Sequence, residues 1–393
     1  MKRDRKYTHT SARGLRIGKT KGFPVFSLLT GLLLLIGFAF LFVWLGLPAM
    51  GRAIDARPNL SCIGIDLPEG RPTPEPTASP LPAGAERALF STDLRKAQQE
   101  WVVPDRQYFA DVSVAGETLV AAAGDYYAPD GTAAFVRVLL RDLPTGYNSQ
   151  IAVPLIYQSL RFPRLLDKTL VYLDVKGTGG GRLMAYDTAA GEARELKTIH
   201  MGVPVLAGES TTVCWIERTG TTRYKLFACN VITGEAVTLA MGDNVRFGAS
   251  RPSLQGGLLV WAGDSGLLCT LRLADGMTGE LQLPMEVHDP QTNGTEIAFL
   301  SAPHGSDANL YLLGEDGTPL CIANDVADFA LGDDFAVYNT REKNYVYFFS
   351  DGSTFCITRG TDSSLLLAAG GSYVVWQNTA WREKDILEYM KIE

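Results

Sequence analysis

Histidine and recognisable catalytic motifs are scarce in this 393-residue chain. It contains four histidines, and no GxSxG nucleophile elbow, HExxH motif or P-loop occurs. Its six cysteines include no CxxC pair and no spacing typical of a zinc site. A Ser-His-Asp hydrolase would need a histidine placed by an adjoining α/β domain, for which the chain leaves no room. We therefore expect no enzymatic activity, no cofactor and no bound metal.

Positive charge is sparse beyond the first 22 residues. Residues 1–22 hold eight Lys and Arg against one Asp, a net charge of +7, whereas the whole chain carries −7, so residues 23–393 sum to −14. Binding to nucleic-acid phosphates requires clustered Lys and Arg. The acidic remainder of the chain therefore argues against a nucleic-acid partner.

Residues 23–50 contain no charged side chain. As an α-helix this segment would reach about 42 Å, enough to cross a bilayer with some tilt. Because the basic residues precede it, the N-terminus is expected in the cytoplasm and the remainder outside. A cleaved signal peptide is the alternative, although its apolar core is normally shorter, roughly 7–15 residues. The pattern predicts an uncleaved signal anchor in a single-pass protein of the cell membrane.

Proline is concentrated in the segment that follows the anchor. Residues 66–84 hold six prolines: Pro68, Pro72, Pro74, Pro76, Pro80 and Pro82. Such a stretch favours extended conformations and does not pair in a sheet, so we interpret it as a semi-rigid stalk. A Pro-rich docking motif is the alternative interpretation. The predicted order is a basic tail at 1–22, an anchor at 23–50, a linker at 51–85 and a folded domain at 86–393.

Short strands recur about seven times in the folded domain, each preceded in most cases by a Gly- or Asp-containing turn. The aligned strands are Thr118-Leu119-Val120-Ala121, Thr169-Leu170-Val171-Tyr172, Thr212-Val213-Cys214-Trp215, Leu258-Leu259-Val260-Trp261, Glu296-Ile297-Ala298-Phe299, Phe335-Ala336-Val337-Tyr338 and Tyr373-Val374-Val375-Trp376. A strand repeat of about 40 residues is the signature of a β-propeller. The sequence therefore predicts an all-β fold, a β-propeller preceded by one transmembrane helix.

Seven blades are expected, with six as the alternative if the weak first repeat is an insertion. The seventh repeat stops at Glu393 without an outer strand. Either Ala88-Leu89-Phe90 or Glu100-Trp101-Val102-Val103 could supply that strand and close the ring, which would leave no sheet edge open at the seam.

The repeat resembles those of TolB-like and WD40-like β-propellers. Its first half is clearest in Pro252–Trp261, and its second half, a Tyr-Asp strand followed by a Gly-Glu turn, is clearest in Tyr186–Glu192. The pattern covers residues 108 to 391. This resemblance implies a fold that serves as a binding scaffold, a receptor-like module or a non-catalytic domain of some peptidases. Together with the anchor at 23–50, it predicts a membrane-anchored, extracytoplasmic member of that group.

Cysteine and tryptophan side chains are expected to fill the spaces between sheets. Trp215, Trp261 and Trp376 end aligned strands, where aromatic bulk favours core packing over ligand stacking. Cys214 and Cys229 could instead face one another across a hairpin, and Cys62 could form an intermolecular bridge.

One face of the propeller carries the candidate binding residues. In such a fold the loops between second and third strands share a face with the connections between blades. The candidates on those loops are Tyr126, Tyr127, Arg223, Tyr224, His304, Trp381 and Arg382, because exposed aromatic and Arg side chains are enriched in binding surfaces. The alternative is that these aromatics cover their own blades. Acidic turns at 125–130 and 314–317 are interpreted as ordinary solvated turns.

The sequence indicates recognition of another envelope or surface protein, or of a wall glycan, without covalent chemistry. An enzyme acting on extracellular glycan is the alternative and would need two acids on one wall, from among Asp125, Asp264 and Asp333. A sensory ectodomain is a third class, and its 22-residue tail would require a signalling partner.

Overall fold

The computed structural model describes residues 98–102, 107–125, 134–157, 159–177, 179–243, 250–264, 266–340, 343–358, 364–378 and 386–392. The predicted tail, anchor and stalk lie outside these ranges, as does Cys62. Within them, no helix is long and apolar enough to cross a membrane. The described residues form 28 strands in seven sheets of four.

The first four blades are built from consecutive strands. Blade 1 contains β2 (Gln107–Ala115), β3 (Thr118–Asp125), β4 (Ala134–Asp142) and β5 (Asn148–Ile151), and blade 2 contains β6 (Leu160–Leu166), β7 (Thr169–Val175), β8 (Gly181–Asp187) and β9 (Glu192–Ile199). Blade 3 contains β10 (Ala207–Glu209), β11 (Thr212–Arg218), β12 (Tyr224–Asn230) and β13 (Ala236–Gly242), and blade 4 contains β14 (Ser253–Gln255), β15 (Leu258–Ala262), β16 (Leu268–Arg272) and β17 (Thr278–Leu281).

The last three blades follow the same order, and the seventh borrows its outer strand from the N-terminal side. Blade 5 contains β18 (His288–Thr292), β19 (Ile297–Leu300), β20 (Ala308–Leu313) and β21 (Pro319–Val326), and blade 6 contains β22 (Asp328–Leu331), β23 (Phe335–Asn339), β24 (Asn344–Phe348) and β25 (Thr354–Cys356). Blade 7 contains β26 (Ser364–Gly370), β27 (Tyr373–Asn378), β28 (Ile386–Lys391) and β1 (Gln99–Val102).

Seven blades are therefore present, and the first repeat is a full blade. β1 pairs antiparallel with β28, with Trp101 opposite Leu387. Of the two segments predicted to close the ring, the one containing Trp101 does so, whereas Ala88-Leu89-Phe90 lies outside the described residues.

The aligned strands lie second in each blade, sandwiched between neighbouring blades. Burial is nearly continuous along them, as in β7 and β23, because both faces of an inner strand meet another sheet. Outer strands such as β9 are largely exposed. The predicted core tryptophans are confirmed, since Trp215 and Trp376 are fully buried and Trp261 is 7% exposed.

The five described cysteines are free thiols. Cys214 lies opposite Ala228, and Cys229 lies opposite Val213. Because side chains alternate between the two faces of a sheet, this register places the two sulfur atoms on opposite faces of blade 3. The hairpin pairing of Cys214 with Cys229 is therefore wrong, and the packing interpretation is confirmed.

Side chains on the innermost strands link neighbouring blades around the channel. Ser113, Arg164, Ser253 and Gln291 occupy equivalent places, opposite Val120, Val171, Val260 and Ala298 of the second strands. Each donates a hydrogen bond to a carbonyl of the next blade, to Pro163 (2.9 Å), Leu206 (3.0 Å), Thr292 (3.5 Å) and Phe329 (2.8 Å) respectively. We call these contacts the inter-blade bonds.

Candidate functional site

The innermost strands enclose a central channel with a cavity of about 600 Å³. Each of these strands pairs with a neighbour on one side. Half of its backbone N–H and C=O groups therefore point toward the channel, as they do at any sheet edge. The channel is consequently a polar space rather than a packed core.

The two ends of the channel differ in what surrounds them. Loops between second and third strands contact the connections between blades, as when Gly180 N donates to Gly202 O at 2.8 Å and Gly305 N donates to Ala327 O at 3.2 Å. This end, called the connection face below, is the one predicted to carry the binding loops. The other end, the turn face, carries the remaining hairpin turns.

Three innermost strands bulge at equivalent places close to the connection face. The ladder of β2 skips residues 111 and 112, that of β6 skips 162 and 163, and that of β18 skips 289 and 290. The first bulged residues, Asp111, Phe162 and Asp289, have φ angles of 48°, 49° and 43°. Bulges turn side chains away from the regular alternation, and Asp tolerates a left-handed conformation better than most residues. Two of the three bulges therefore place a carboxylate near the rim of the channel.

The carboxylate of Asp111 is neutralised by the next blade. It accepts hydrogen bonds from Arg161 Nε, from Arg161 Nη2 at 3.0 Å and from the backbone N–H of Phe162 at 3.1 Å. The hydrogen bond to Asp111 raises the pKa of Arg161, against the effect of burial. This pair forms a fixed, charge-balanced bridge between blades 1 and 2.

The carboxylate of Asp289 is less completely paired. Its side chain is 9% exposed, Arg251 Nε lies 4.0 Å from Oδ1, and the backbone N–H of Arg251 donates a hydrogen bond to the carboxylate. Burial raises the pKa of Asp289, and the negative charge of Asp328 adds to this, whereas Arg251 and His304 oppose it. The site can therefore hold a proton on a carboxyl group above the usual pH range.

A histidine completes this group, which we call the mouth cluster: Arg251, Asp289, His304 and Asp328 of blades 4, 5 and 6. His304 Nδ1 lies 3.2 Å from Asp328 Oδ1, and the two side chains are 32% and 24% exposed. Arg251 is 45% exposed. The cluster thus offers hydrogen-bond donors and acceptors to a ligand on the connection face.

Other buried carboxylates on this face have structural partners. Asp174 accepts from the backbone N–H groups of Ile156 (2.8 Å) and Tyr157 (3.0 Å). Glu217 accepts from His200 N at 2.9 Å. These acids hold the connections between blades in place, because a buried backbone N–H needs an acceptor.

The predicted binding residues divide into three groups. Tyr126, Tyr127, Trp381 and Arg382 lie outside the described residues. His304 belongs to the mouth cluster, whereas Arg223 is 80% exposed on blade 3, 3.8 Å from Asp243. Tyr224 is partly buried and packs against the core between blades 3 and 4, so it covers its own blade as the alternative interpretation proposed.

Sequence reasoning missed Asp111, Arg251, Asp289 and Asp328. These residues lie on or beside innermost strands, which the repeat alignment represented only by the turns that follow them. One signal was available: Asp111, Arg251 and Asp289 each precede a turn glycine, Gly116, Gly256 or Gly294, by five residues. Charged residues that recur at the same distance before the turn lie at the same height along the channel.

Comparison with known proteins places the chain by its fold. No protein-family model and no curated protein matches the sequence. Among solved structures, the β-propeller domain of the Trilobed protease from Pyrococcus furiosus is 12% identical over 73% of this chain and 94% of that one, with a TM-score of 0.55. The acylaminoacyl peptidase of Pyrococcus horikoshii is 12% identical over 71% of this chain and 50% of that one, with a TM-score of 0.54. TolB from Acinetobacter baumannii also matches, 11% identical over 65% and 60% of the two chains, with a TM-score of 0.40. At such identities the two likenesses above a TM-score of 0.5 support the β-propeller fold, and the fold alone.

Proposed function

We propose that this chain is a recognition module that binds an envelope or surface protein, or a wall glycan, through its connection face. The anchor at 23–50 and the stalk at 51–85 would hold the propeller outside the cell membrane. The observation that supports this best is the mouth cluster, in which Arg251, His304 and Asp328 are partly exposed on a ring whose backbone is closed by β1.

Rigidity is what such a surface contributes to binding. Side chains held by adjacent strands lose little conformational entropy when a partner docks, so more of the contact free energy remains as affinity. Charged groups at the rim also select the partner by electrostatic complementarity. No covalent step is required.

Crosslinking in the native membrane tests this proposal. The protein would be captured through a tag on its N-terminal tail, as wild type and as the double variant Arg251→Ala, His304→Ala. We expect one partner at near-stoichiometric yield with the wild type and its loss with the double variant. Arg272→Ala is the matched control, because Arg272 is 61% exposed beside Asp275 at 3.4 Å, at a turn-face hairpin.

Retention of the partner by the double variant would contradict a docking role for the mouth cluster. The variants Tyr127→Ala and Trp381→Ala then test the loops that sequence analysis favoured. Absence of any crosslinked protein would direct the search to wall polysaccharide, with the same variants as controls.

A second candidate is an enzyme that acts on extracellular glycan by general acid–base chemistry. The observation in its favour is Asp289, a buried carboxyl with a raised pKa close to the Asp328–His304 pair, since such groups are candidate proton donors. Of the acids considered from sequence, Asp264 and Asp333 do not form the required pair, because Asp264 lies in a connection-face loop of blade 4 and Asp333 in a turn-face loop of blade 6. Release of reducing sugar from wall polysaccharide by wild type but not by Asp289→Asn would support this candidate.

A further inference from the structure

Arg164 places a positive charge at a position of the ring where neutral side chains perform the same structural task. Ser113, Ser253 and Gln291 form their inter-blade bonds through a hydroxyl or an amide. Arg164 uses only Nε for its bond to Leu206 O. The inter-blade bond therefore does not require the charge of Arg164 or its two terminal amino groups.

This charge is not balanced by a nearby acid in the part of the chain that the structure describes. None of those residues places a carboxylate oxygen within 4.0 Å of the Arg164 guanidinium. Asp111 is the carboxylate whose charge acts on Arg164, but its oxygens already accept three hydrogen bonds from Arg161 and Phe162. Asp111, Arg161 and Arg164 together carry one net positive charge.

The surroundings of Arg164 make that charge costly in the absence of an anion. Burial lowers the pKa of Arg164, yet a guanidinium does not lose its proton in proteins. A buried charge without a partner is destabilising, and an anion that enters the channel would compensate it. Because Arg164 lines the cavity and is partly accessible, such an anion can reach it.

The cavity has the size and polarity of a small-molecule site. Its volume of about 600 Å³ falls within the range of roughly 300–1,000 Å³ that is usual for ligand pockets. Ser210 and Gln255 contribute polar side chains to its lining, and the free edges of the innermost strands contribute backbone N–H groups.

Four carboxylates also line the cavity. Asp167 and Glu209 lie at the turn-face end, where Glu209 accepts from Gly256 N and Gly257 N at 2.9 and 2.8 Å, and Asp289 and Asp328 belong to the mouth cluster at the other end. An anion held by Arg164 would therefore lie between these two acidic ends.

We propose that the channel binds a small organic anion through a carboxylate held by Arg164. The two terminal amino groups of a guanidinium donate parallel hydrogen bonds to the two oxygens of a carboxylate, a geometry that matches carboxylates well. A sugar acid or a similar low-mass acid fits the volume. This site lies inside the ring and does not depend on docking of a partner to the connection face.

Calorimetric titration of the purified full-length protein tests the proposal with three probes at constant ionic strength: D-glucuronate, D-glucose and inorganic phosphate. D-glucose matches glucuronate in shape but lacks the carboxylate. Arg164→Gln is the informative variant, because its amide can still donate to Leu206 O, as Gln291 does to Phe329 O, without the charge. Arg272→Gln on the turn face is the matched control.

We expect saturable binding of glucuronate to wild type and to Arg272→Gln, weakened at least about tenfold in Arg164→Gln, as loss of a charged hydrogen bond requires. Glucose should not bind to any of the proteins. Unchanged binding of glucuronate to Arg164→Gln, or no saturable binding to wild type, would overturn the proposal. Binding of phosphate as tight as that of glucuronate would overturn the carboxylate assignment. If Arg164→Gln does not fold, Arg164→Lys replaces it, and retention of full affinity there would refute bidentate recognition.

Discussion

Asp289 shows how a single residue can be fixed in an unfavourable state by its neighbours. It combines a left-handed backbone, with φ of 43°, with a carboxylate buried at the rim of the channel. Backbone strain of this kind is retained where the surroundings overdetermine the conformation. Here the β18–β19 ladder resumes at Gln291, whose side chain is bonded to blade 6, so the bulge cannot relax without breaking the contact between the two blades.

The raised pKa of Asp289 predicts a specific pH dependence of stability. A carboxyl group whose pKa is higher in the folded than in the unfolded chain binds protons more tightly when folded. Its contribution to the free energy of unfolding therefore falls as the pH rises from below the ordinary value of 3.8 through the folded pKa. The stability of wild type minus that of Asp289→Asn should accordingly decrease as the pH rises above the ordinary carboxyl pKa of 3.8, as measured by urea unfolding.

Asp187→Asn is the control for this measurement. Hydrogen bonds from the backbone N–H groups of Ala190 and Ala189 lower the pKa of Asp187, so its contribution is complete above the ordinary carboxyl pKa and shows no trend in that range. Arg251, His304 and Asp328 face Asp289, and the charges of Arg251 and His304 oppose the increase of its pKa. The comparison should therefore be repeated in a His304→Gln background. If the free energies of unfolding of wild type and Asp289→Asn change in parallel with pH, the pKa of Asp289 is not raised in the folded protein.

Two glycines with positive φ are expected to respond differently to alanine. Gly181 has φ of 154°, and an added Cβ would lie 2.2 Å from the carbonyl oxygen of Asp174, whereas Gly234 has φ of 77° and open space around it. Gly234→Ala should therefore cost about 1 kcal/mol from backbone strain alone, and Gly181→Ala about 3 kcal/mol or more from strain with overpacking. Chemical denaturation measures both, and equal losses would disprove this explanation.

Strands determine which side chains can meet. The register of β11 and β12 separates the sulfur atoms of Cys214 and Cys229 into different inter-blade cores. Hairpins on the turn face depend instead on local chemistry: the Asn230 side chain accepts from the backbone N–H groups of Ile232 and Thr233 at 2.8 and 3.0 Å. Such turns form independently of the ring, whereas the separation of the cysteines depends on strand pairing.

The sheet register predicts that Cys214 is chemically protected. Burial raises the pKa of its thiol to about 12, so little reactive thiolate forms near neutral pH. In a Cys62→Ser background, iodoacetamide should modify the partly exposed Cys321 first and reach Cys214 only after unfolding, as followed by peptide mass spectrometry. A Cys214–Cys229 linked peptide after mild oxidation would contradict the register.

At the scale of the propeller, the ring is closed by the pairing of β1 with β28. Arg141 of blade 1 lies over the rings of Trp101 and Tyr389, 5.5 and 5.1 Å from their centroids, and its Nε donates to Tyr389 Oη at 2.9 Å. Gln99 accepts from the same hydroxyl at 2.5 Å. These contacts tie the first blade to the last, so the seam transmits stability around the ring.

Trp101→Ala is expected to destabilise the entire propeller. The indole is 5% exposed and belongs to the core between blades 7 and 1, and removal of such a side chain costs about 3–5 kcal/mol. Val102→Ala on the same strand is the control, because Val102 is 45% exposed and its loss should change stability by about 0.5 kcal/mol or less. In thermal unfolding, Trp101→Ala should show one transition with a lower midpoint temperature than wild type. Loss of structure confined to one blade would contradict the proposal that closure stabilises all the blades together.

Much of the architecture could be predicted from sequence because its causes are local or periodic. The strands ending at Trp215, Trp261 and Trp376 are recognisable in the sequence as apolar runs of strand length. Turns such as 187–191 are recognisable by their Asp and Gly residues. The missing outer strand of the seventh repeat likewise pointed to closure from the N-terminal side. The innermost strands were not predicted, because polar residues such as Ser113 and Gln291 interrupt their apolar pattern.

The sequence by itself determined the repeat and the core and favoured seven blades over six, since burial of apolar side chains at a fixed period admits few solutions. Tertiary structure alone decided which charges meet. Asp289 and Asp328 are 39 residues apart and come together only because successive blades return to the same axis. Pairing and desolvation of charges depend on distances across the ring, and the spacing of charged residues along the chain does not specify those distances.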